Sequence, residues 1–297
     1  MIDGKTQLVG LIGWPVAHSL SPVMHNAAFD ALGLNWRYVP LPVPPDRLET
    51  SVRGLAALGF RGVNVTVPHK QAAIPLLDSV APDASLFGAV NTLVIDRAQS
   101  GEVTISGHNT DHRGFVTSLR QSDFDPEGKK AVVLGAGGGG RAVVFGLLEA
   151  EAVEIVVLDS DPEKAQALID DLCGQESRRL RTRPLTQETL IESTHAADLF
   201  VHATPVGMWP HTEGCIWPEE PPFPAHLIAF DLVYNPLQTN FLRRAREAGA
   251  STIDGLGMLV AQGALSFELW TGETAPIEVM RTAGERALQE RSHQERP

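Results

Sequence analysis

Lys70 closes the run Asn64-Val65-Thr66-Val67-Pro68-His69 and is one of only five lysines in a chain of 297 residues. An ammonium among amides and hydroxyls can move a proton to or from a substrate oxygen and can stabilise oxyanion character there. Asp111, at the end of Gly107-His108-Asn109-Thr110-Asp111, is a carboxylate able to anchor that ammonium or the same substrate hydroxyl. Short uncharged polar residues recur at Ser19-Leu20-Ser21 and at Asn91-Thr92. Hydroxyls, amides, one cation and one anion suit a small polyhydroxylated acid, and suit neither an apolar ligand nor a phosphate ester. Each residue alone also has a structural reading. Ser21 serves as a helix N-cap, Asn91 and Asn109 as turn formers, and Lys70 as a solvated surface residue.

A second chemistry is written in Gly135-Ala136-Gly137-Gly138-Gly139-Gly140. This run satisfies G-x-G-x-x-G and stands between an apolar strand pattern and a helical one, the context of a dinucleotide fingerprint. Gly135 permits the tight turn, Gly137 lets backbone approach a pyrophosphate, and the N–H groups opening the helix bind that anion. The acidic residue expected on the cofactor ribose is Asp159, at the end of the next strand. A carboxylate there accepts from a ribose 2′-hydroxyl and repels a 2′-phosphate. Asp161 adds negative charge, and no arginine occurs between Arg141 and Arg178. The pattern favours NAD over NADP, the alternative being that Asp159 merely begins a turn before Pro162.

Positioning these groups requires strands whose carboxyl ends carry them. Leu8–Gly13, Tyr38–Leu41 and Gly62–Val67 read as buried strands, with helices over Pro22–Leu32 and Arg47–Leu58 between them. This β-α-β-α-β order predicts a mostly parallel sheet with helices on its faces. A polar, turn-rich connector follows at Asp123–Gly128. Beyond it, strands are expected at 131–134, 153–158, 199–202, 228–232 and 251–253, with a loop at 135–140 and a helix at 141–150. The Pro-, Gly- and Glu-rich stretch 209–224 reads as a long loop. An apolar helix runs from Met258 to Trp270, Pro276 starts another, and the charged tail from Glu290 reads as frayed. Ligands in parallel sheets sit beyond the carboxyl ends of the strands, so the polar clusters can converge there.

Composition excludes whole classes of partner. A net charge of −12 repels phosphate backbones, which argues against a nucleic-acid binder. No apolar stretch approaches membrane-spanning length, and Met1-Ile2-Asp3-Gly4-Lys5 lacks the pattern of a signal peptide, so a cytoplasmic protein is expected. Cys173 and Cys215 supply neither a disulfide framework nor a metal knuckle and read as packing residues; no metal site is expected. His18 and His25 likewise read as capping or packing residues. Nothing in the sequence specifies an oligomeric state.

Seven motifs in order resemble the shikimate dehydrogenase family. They are Gly13-Trp14-Pro15-Val16-Ala17-His18-Ser19-Leu20-Ser21-Pro22, Asn64–Lys70, Gly88-Ala89-Val90-Asn91-Thr92, Gly107–Asp111, Ala203-Thr204-Pro205-Val206-Gly207-Met208, Asp231-Leu232-Val233-Tyr234-Asn235-Pro236 and Asp254–Gln262. The resemblance implies a two-domain α/β fold. A substrate-binding domain would cover residues 1–122 with 256–297, its C-terminal helices returning to it, and a Rossmann-like domain residues 123–255. It implies reversible reduction of 3-dehydroshikimate to shikimate, with Lys70 and Asp111 as the proton-transfer pair. Ser19 and Ser21 would hold the substrate carboxylate. Asn64, Thr66, Asn91, Asp111 and Gln262 would bind ring hydroxyls, with Tyr234 closing the site. Thr204, Leu232 and Gly255 would line the nicotinamide pocket, with Met258 near it. Family members that use NADP typically carry Asn-Arg-Thr where this chain has Asp159-Ser160-Asp161, so NADP remains possible from the family and NAD is favoured by Asp159. A quinate/shikimate or aminoshikimate dehydrogenase is the alternative within the class. A nucleotide-binding regulatory protein is the alternative outside it, against which the intact Lys70 and Asp111 stand.

Overall fold

The computed structural model describes residues 2–172 and 178–294, so Cys173 and the last three residues lie outside it. Two compact units divide the chain: Met1–Thr110 with Gln262–Pro297, and Asp111–Ala261. No helix among the described residues is long and apolar enough to cross a membrane.

In the first unit β1 (Gln7–Gly13), α1 (Ser21–Ala31), β2 (Trp36–Pro42), α2 (Leu48–Leu58) and β3 (Gly62–Val65) follow the expected alternation. Then come β4 (Ser79–Val80), α3 (Pro82–Phe87), β5 (Thr92–Arg97) and β6 (Val103–His108). The sheet order is β2-β1-β3-β5-β6-β4. β1 pairs in parallel with β2 and β3, and its last five residues are buried, as a strand covered on both faces must be. β5 runs antiparallel to both β3 and β6. The parallel strands therefore adjoin a hairpin that turn-forming Asn91 and Asn109 concealed from the sequence reading. Its sequence alternates, with Leu93 and Ile95 buried and Asp96 exposed, rather than forming a continuous apolar run. The core under this sheet gathers Ile12, Val52, Val63, Leu93 and Ile105.

The second unit begins with α4 (Asp111–Gln121) and continues through β7 (Lys130–Leu134), α5 (Gly138–Glu149), β8 (Glu154–Asp159), α6 (Pro162–Leu172) and β9 (Leu180–Pro184). After these come α7 (Gln187–His195), β10 (Leu199–His202), β11 (Ile228–Asp231), α8 (Asn240–Glu247) and β12 (Ser251–Ile253). All of its strand pairs are parallel, in the order β12-β11-β10-β7-β8-β9. That order reverses between β7 and β10, which is the switch point where a doubly wound sheet leaves a crevice for a ligand. The stretch 209–224 carries no helix or strand. Cys215 packs beside Trp217 and Phe223 on the core of this unit.

α9 (Gly255–Thr271) carries the chain out of the second unit, and α10 (Ile277–Gln294) completes the first. The indole N–H of Trp270 on α9 donates to the Leu93 carbonyl at 3.0 Å, passing over Gly62, where any Cβ would collide with the ring. The break expected between residues 122 and 123 falls instead between Thr110 and Asp111. The polar connector marks the surface turn after α4. Contacts decide the partition: α4 lies on α5, where Gly146 leaves only 3.0 Å between the place of a Cβ and the His112 carbonyl oxygen. At the other junction the break falls inside α9, between Ala261 and Gln262, so residues 256–261 stay with the second unit.

His25 is a packing residue, fully buried and stacked on Tyr38 with ring centroids 4.5 Å apart and 2° between the planes. Neither ring nitrogen has a hydrogen-bond partner. Burial lowers its pKa from 6.5 to about 3. The unfolded chain takes up this proton below pH 6.5, whereas the folded chain does not until near pH 3. Stability is therefore lost as pH falls through that window, by about 1.4 kcal/mol per pH unit for one proton. The His25→Phe variant should show a shallower loss in urea unfolding between pH 7 and pH 5. Equal slopes in the two proteins would exclude His25 from the acid sensitivity.

Candidate active site

The polar residues of the first unit meet at the carboxyl ends of β1 and β3 and at the β5–β6 end. The sequence suits Ser21 to the N-cap of α1, but that position falls to Leu20, which makes no side-chain cap. Pro22, lacking an N–H, stands in the first turn, where no partner is needed. Ser19 Oγ accepts from the Ser21 N–H at 3.2 Å. The Ser21 side chain is left to hydrogen-bond the Tyr38 hydroxyl, which donates to Asn64 Oδ1 at 2.8 Å. Burial pushes the Tyr38 phenol far above its ordinary pKa, against a smaller opposing effect of Ser21, so it serves as a fixed donor.

Asn64 and Asn91 form the centre. Asn64 Nδ2 donates to the Asn91 carbonyl (3.2 Å), Thr92 Oγ1 (3.2 Å) and Ser266 Oγ (3.0 Å). Asn91 Oδ1 accepts from the Thr110 N–H and from Thr92 Oγ1, both at 2.9 Å. Its Nδ2 donates to Thr110 Oγ1 at 2.9 Å and to Gln262 Oε1 at 3.3 Å. The two amides are thus largely satisfied within the protein, and the long bond to Gln262 is the one a ligand hydroxyl can most readily replace. Thr66 is half-buried, its backbone N–H on the Ile12 carbonyl at 2.9 Å. Lys70 is half-buried, and its carbonyl accepts from the Val90 N–H, which brings it beside Asn91.

Residues that sequence reasoning missed hold this arrangement in place. Ser266 is fully buried, and its hydroxyl accepts from Asn64, donates to the Gln262 carbonyl (3.1 Å) and lies 2.8 Å from Thr92 Oγ1. Its spacing of four from Gln262 on one helix was the available signal. The tail from Glu290, expected to fray, continues as helix to Gln294. Arg291 donates to the carbonyls of His18 (2.6 Å) and Ser19 (3.3 Å), fixing the serine loop.

In the second unit the glycine loop is shorter than expected. The helix opens at Gly138, with Gly137 as N-cap, so Gly138 to Gly140 form its first turn instead of the loop. Gly135 has φ +111°, and a Cβ there would stand 2.7 Å from the Ala203 carbonyl oxygen. At Gly140 a Cβ would overlap the Gly135 carbonyl. Such a turn at the start of a helix, with nothing within 4 Å of a Cβ on Gly138, has the form that a pyrophosphate requires. Asp111 is buried in the first turn of α4, where the positive end of the helix suits a carboxylate.

Asp159 ends β8 beside this loop. Its Oδ2 accepts from the Ala136 N–H at 2.7 Å and its Oδ1 from the Asp161 N–H at 2.9 Å. Burial acts to raise its pKa. The N–H groups of Asp161 and Ala136, the Lys164 ammonium and the Ser160 hydroxyl outweigh burial and hold it below the ordinary carboxylate range. Asp161 differs from its expected part: its Oδ1 accepts from the N–H groups of Glu163 (3.1 Å) and Lys164 (3.2 Å) and so caps α6. Lys164 places its ammonium 3.8 Å from where a Cβ of Gly137 would stand, a positive charge beside the glycine turn.

Across the switch point, Thr204 follows β10 and sets its methyl 3.0 Å from the place of a Cβ on Gly135. Leu232 follows β11, with a methyl 3.0 Å from the corresponding place on Gly139 and its carbonyl against Gly255. Met258 is buried and Tyr234 half-buried. Among the described residues no group of three or more His, Cys, Asp or Glu side chains is arranged to hold a metal.

The model of the shikimate dehydrogenase substrate binding domain matches residues 11–93, and that of the shikimate 5′-dehydrogenase C-terminal domain matches residues 255–283. A Methanopyrus kandleri protein named shikimate dehydrogenase (NADP(+)) is 49% identical over 289 residues, covering 95% of this chain and 96% of that protein. The structure of shikimate 5-dehydrogenase from Listeria monocytogenes in complex with shikimate and NAD aligns with a TM-score of 0.87 at 34% identity, covering 95% of this chain and 97% of that one. Quinate dehydrogenase from Corynebacterium glutamicum in complex with NAD aligns with a TM-score of 0.86 at 33% identity, covering 95% and 99%. With such identity sustained over nearly its whole length, and with the family's motifs at the strand ends where ligands bind, the chain belongs to the shikimate dehydrogenase family.

Proposed function

We propose that the protein interconverts 3-dehydroshikimate and shikimate by nicotinamide-dependent hydride transfer. The observation that carries this reading is the uncharged polar network of buried Asn64, Asn91, Thr92, Thr110 and Ser266 with half-buried Gln262, beside a half-buried lysine. Such a wall recognises hydroxyl groups without imposing charge. Ser19 and Ser21 take the carboxylate, on a loop held by Arg291. Asn64, Thr66, Asn91, Asp111 and Gln262 take the ring hydroxyls, and Tyr234 covers them.

A nicotinamide held there would supply or accept the hydride. In reduction the carbonyl oxygen gains electron density, and the Lys70 ammonium first stabilises it and then donates its proton. In oxidation the neutral Lys70 amine takes the hydroxyl proton. Asp111 anchors the same hydroxyl. The Gly135–Gly140 turn holds the pyrophosphate, and Thr204, Leu232, Gly255 and Met258 shape the nicotinamide side.

NAD is the cofactor we assign, because Asp159 offers its remaining lone pairs to a ribose 2′-hydroxyl. The Methanopyrus kandleri relative is named for NADP, and Lys164 is a cation near the same loop, so the assignment rests on the Asp159 carboxylate outweighing it. A quinate reading draws support from the likeness to the NAD-bound Corynebacterium glutamicum enzyme.

Two measurements test this function. In a nicotinamide-absorbance assay with shikimate and with quinate, kcat/KM should favour shikimate, and NAD should exceed NADP by about 10-fold, the scale of one charged hydrogen bond. Better use of NADP would refute the Asp159 argument, and better use of quinate would replace the substrate. The Lys70→Ala variant should lose roughly 10²–10⁴-fold in kcat with little change in substrate KM. Turnover near that of the unmodified protein would remove Lys70 from the proton transfer.

A further inference from the structure

Three buried side chains behind the glycine loop have no part in the chemistry described so far. His202 ends β10 and Asp231 ends β11, both fully buried, and Thr239 caps α8 beside them. Asp231 Oδ1 accepts from the Val233 N–H at 3.0 Å and faces His202 Nδ1 at 2.8 Å, while its Oδ2 accepts from the Thr239 hydroxyl at 2.6 Å. Thr239 Oγ1 already accepts from the Leu242 N–H, so its proton is directed to Asp231. With donors converging on both oxygens, Asp231 acts as an acceptor-only carboxylate. His202 Nδ1 then donates to Asp231, and in the neutral imidazole Nε2 is left as an acceptor. Thr204 Oγ1 lies 2.6 Å from Nε2, so its hydroxyl donates inward and turns its lone pairs outward.

The sheet order says what those lone pairs face. β7 lies between β10 and β8, so Thr204 and Asp159 stand on opposite sides of the Gly135 turn. A dinucleotide whose adenosine ribose meets Asp159 and whose pyrophosphate meets the turn carries its nicotinamide toward Thr204. Of the groups on that ring, the carboxamide NH₂ is a donor that a hydroxyl locked as an acceptor can recognise. The Val206 N–H stands off from Thr204 Oγ1 at 3.4 Å.

We infer that His202, held by Asp231, is a positioning residue that fixes Thr204 Oγ1 as an acceptor for the carboxamide of the nicotinamide cofactor. This rests on the cofactor part of the function proposed above and does not depend on which acid is oxidised.

Calorimetric titration of the full chain with NADH and with ADP-ribose, which lacks the nicotinamide, separates the two halves of the cofactor without any substrate. Thr204→Val should weaken NADH by about 10-fold, the scale of one buried hydrogen bond, and leave ADP-ribose within about twofold. Thr204→Ser should restore NADH binding. His202→Asn keeps a donor for Asp231 but removes the acceptor for Thr204, and should reproduce the selective loss. The double variant should bind NADH no more weakly than Thr204→Val alone, because both changes act through one hydroxyl. An unchanged ratio of NADH to ADP-ribose affinity in Thr204→Val would overturn the inference. So would equal loss of both ligands in His202→Asn, which would mark a purely structural histidine. Failure of the unmodified protein to bind either ligand would instead strike the cofactor reading, and this inference with it.

Discussion

The Asn64 carboxamide ties together the segments on which the first unit's site depends. It receives the Tyr38 hydroxyl from β2 and gives its hydrogens to the β5 entry and to Ser266 on α9. A buried amide without partners costs on the order of 1–3 kcal/mol per unmade bond, so these bonds are conditions for burying Asn64 at all. Once they are met, the strand ends that carry Thr66, Lys70 and Asn91 are held in register with Gln262. The polar groups a substrate would touch are thus the outer rank of a network whose inner rank is already complete. That is how a wall made of short, neutral side chains can be rigid through hydrogen bonds.

The second unit solves a different problem with the same means. A pyrophosphate needs bare backbone, and bare backbone is obtained by removing side chains: Gly135 turns with positive φ and Gly140 lets the helix approach that turn. Removing side chains also removes what would hold the loop. Asp159 supplies part of the restraint through the Ala136 N–H, while the Thr204 methyl packs against Gly135 from the β10 side. Thr204 is itself oriented by His202 and Asp231. Each side of the loop is therefore braced by a polar residue at the end of a neighbouring strand.

Much of this was legible in the sequence, and the reasons for the rest are physical. Parallel strands buried on both faces, such as β1 and β7, are continuous apolar runs and announce themselves. The β5–β6 hairpin alternates and is flanked by residues that also form turns, so Asn91 and Asn109 pointed to loops. The glycine run marked the turn between β7 and α5, yet the run itself could not show that the helix takes in Gly138 to Gly140, because glycine carries no helical preference to read. Lys70, Asp111 and the Asn and Thr clusters stood out because their types were unusual in their setting. Ser266, Tyr38 and Arg291 did not, since their contacts join distant parts of the chain: Ser266 meets Asn64 across 202 positions, and Arg291 meets His18 across 273. Only folding brings such pairs together.

Charge shows the same division between type and place. The chain's net charge of −12 argues against a polyanionic partner, yet it does not describe the cofactor end of the second unit. There Asp161 closes the first turn of α6, which turns part of its acceptor capacity to the protein's own backbone. Asp159 keeps its charge through the backbone donors around it, and Lys164 supplies the opposing cation close by. If a ribose 2′ position is read here, it meets a carboxylate and an ammonium that attract one another, and that attraction diminishes what either exerts on a ligand. A tally of acidic and basic residues assigns both full strength. Their pairing leaves hydrogen-bond geometry, in which the carboxylate accepts and the ammonium only donates, as the property that separates a hydroxyl from a phosphate.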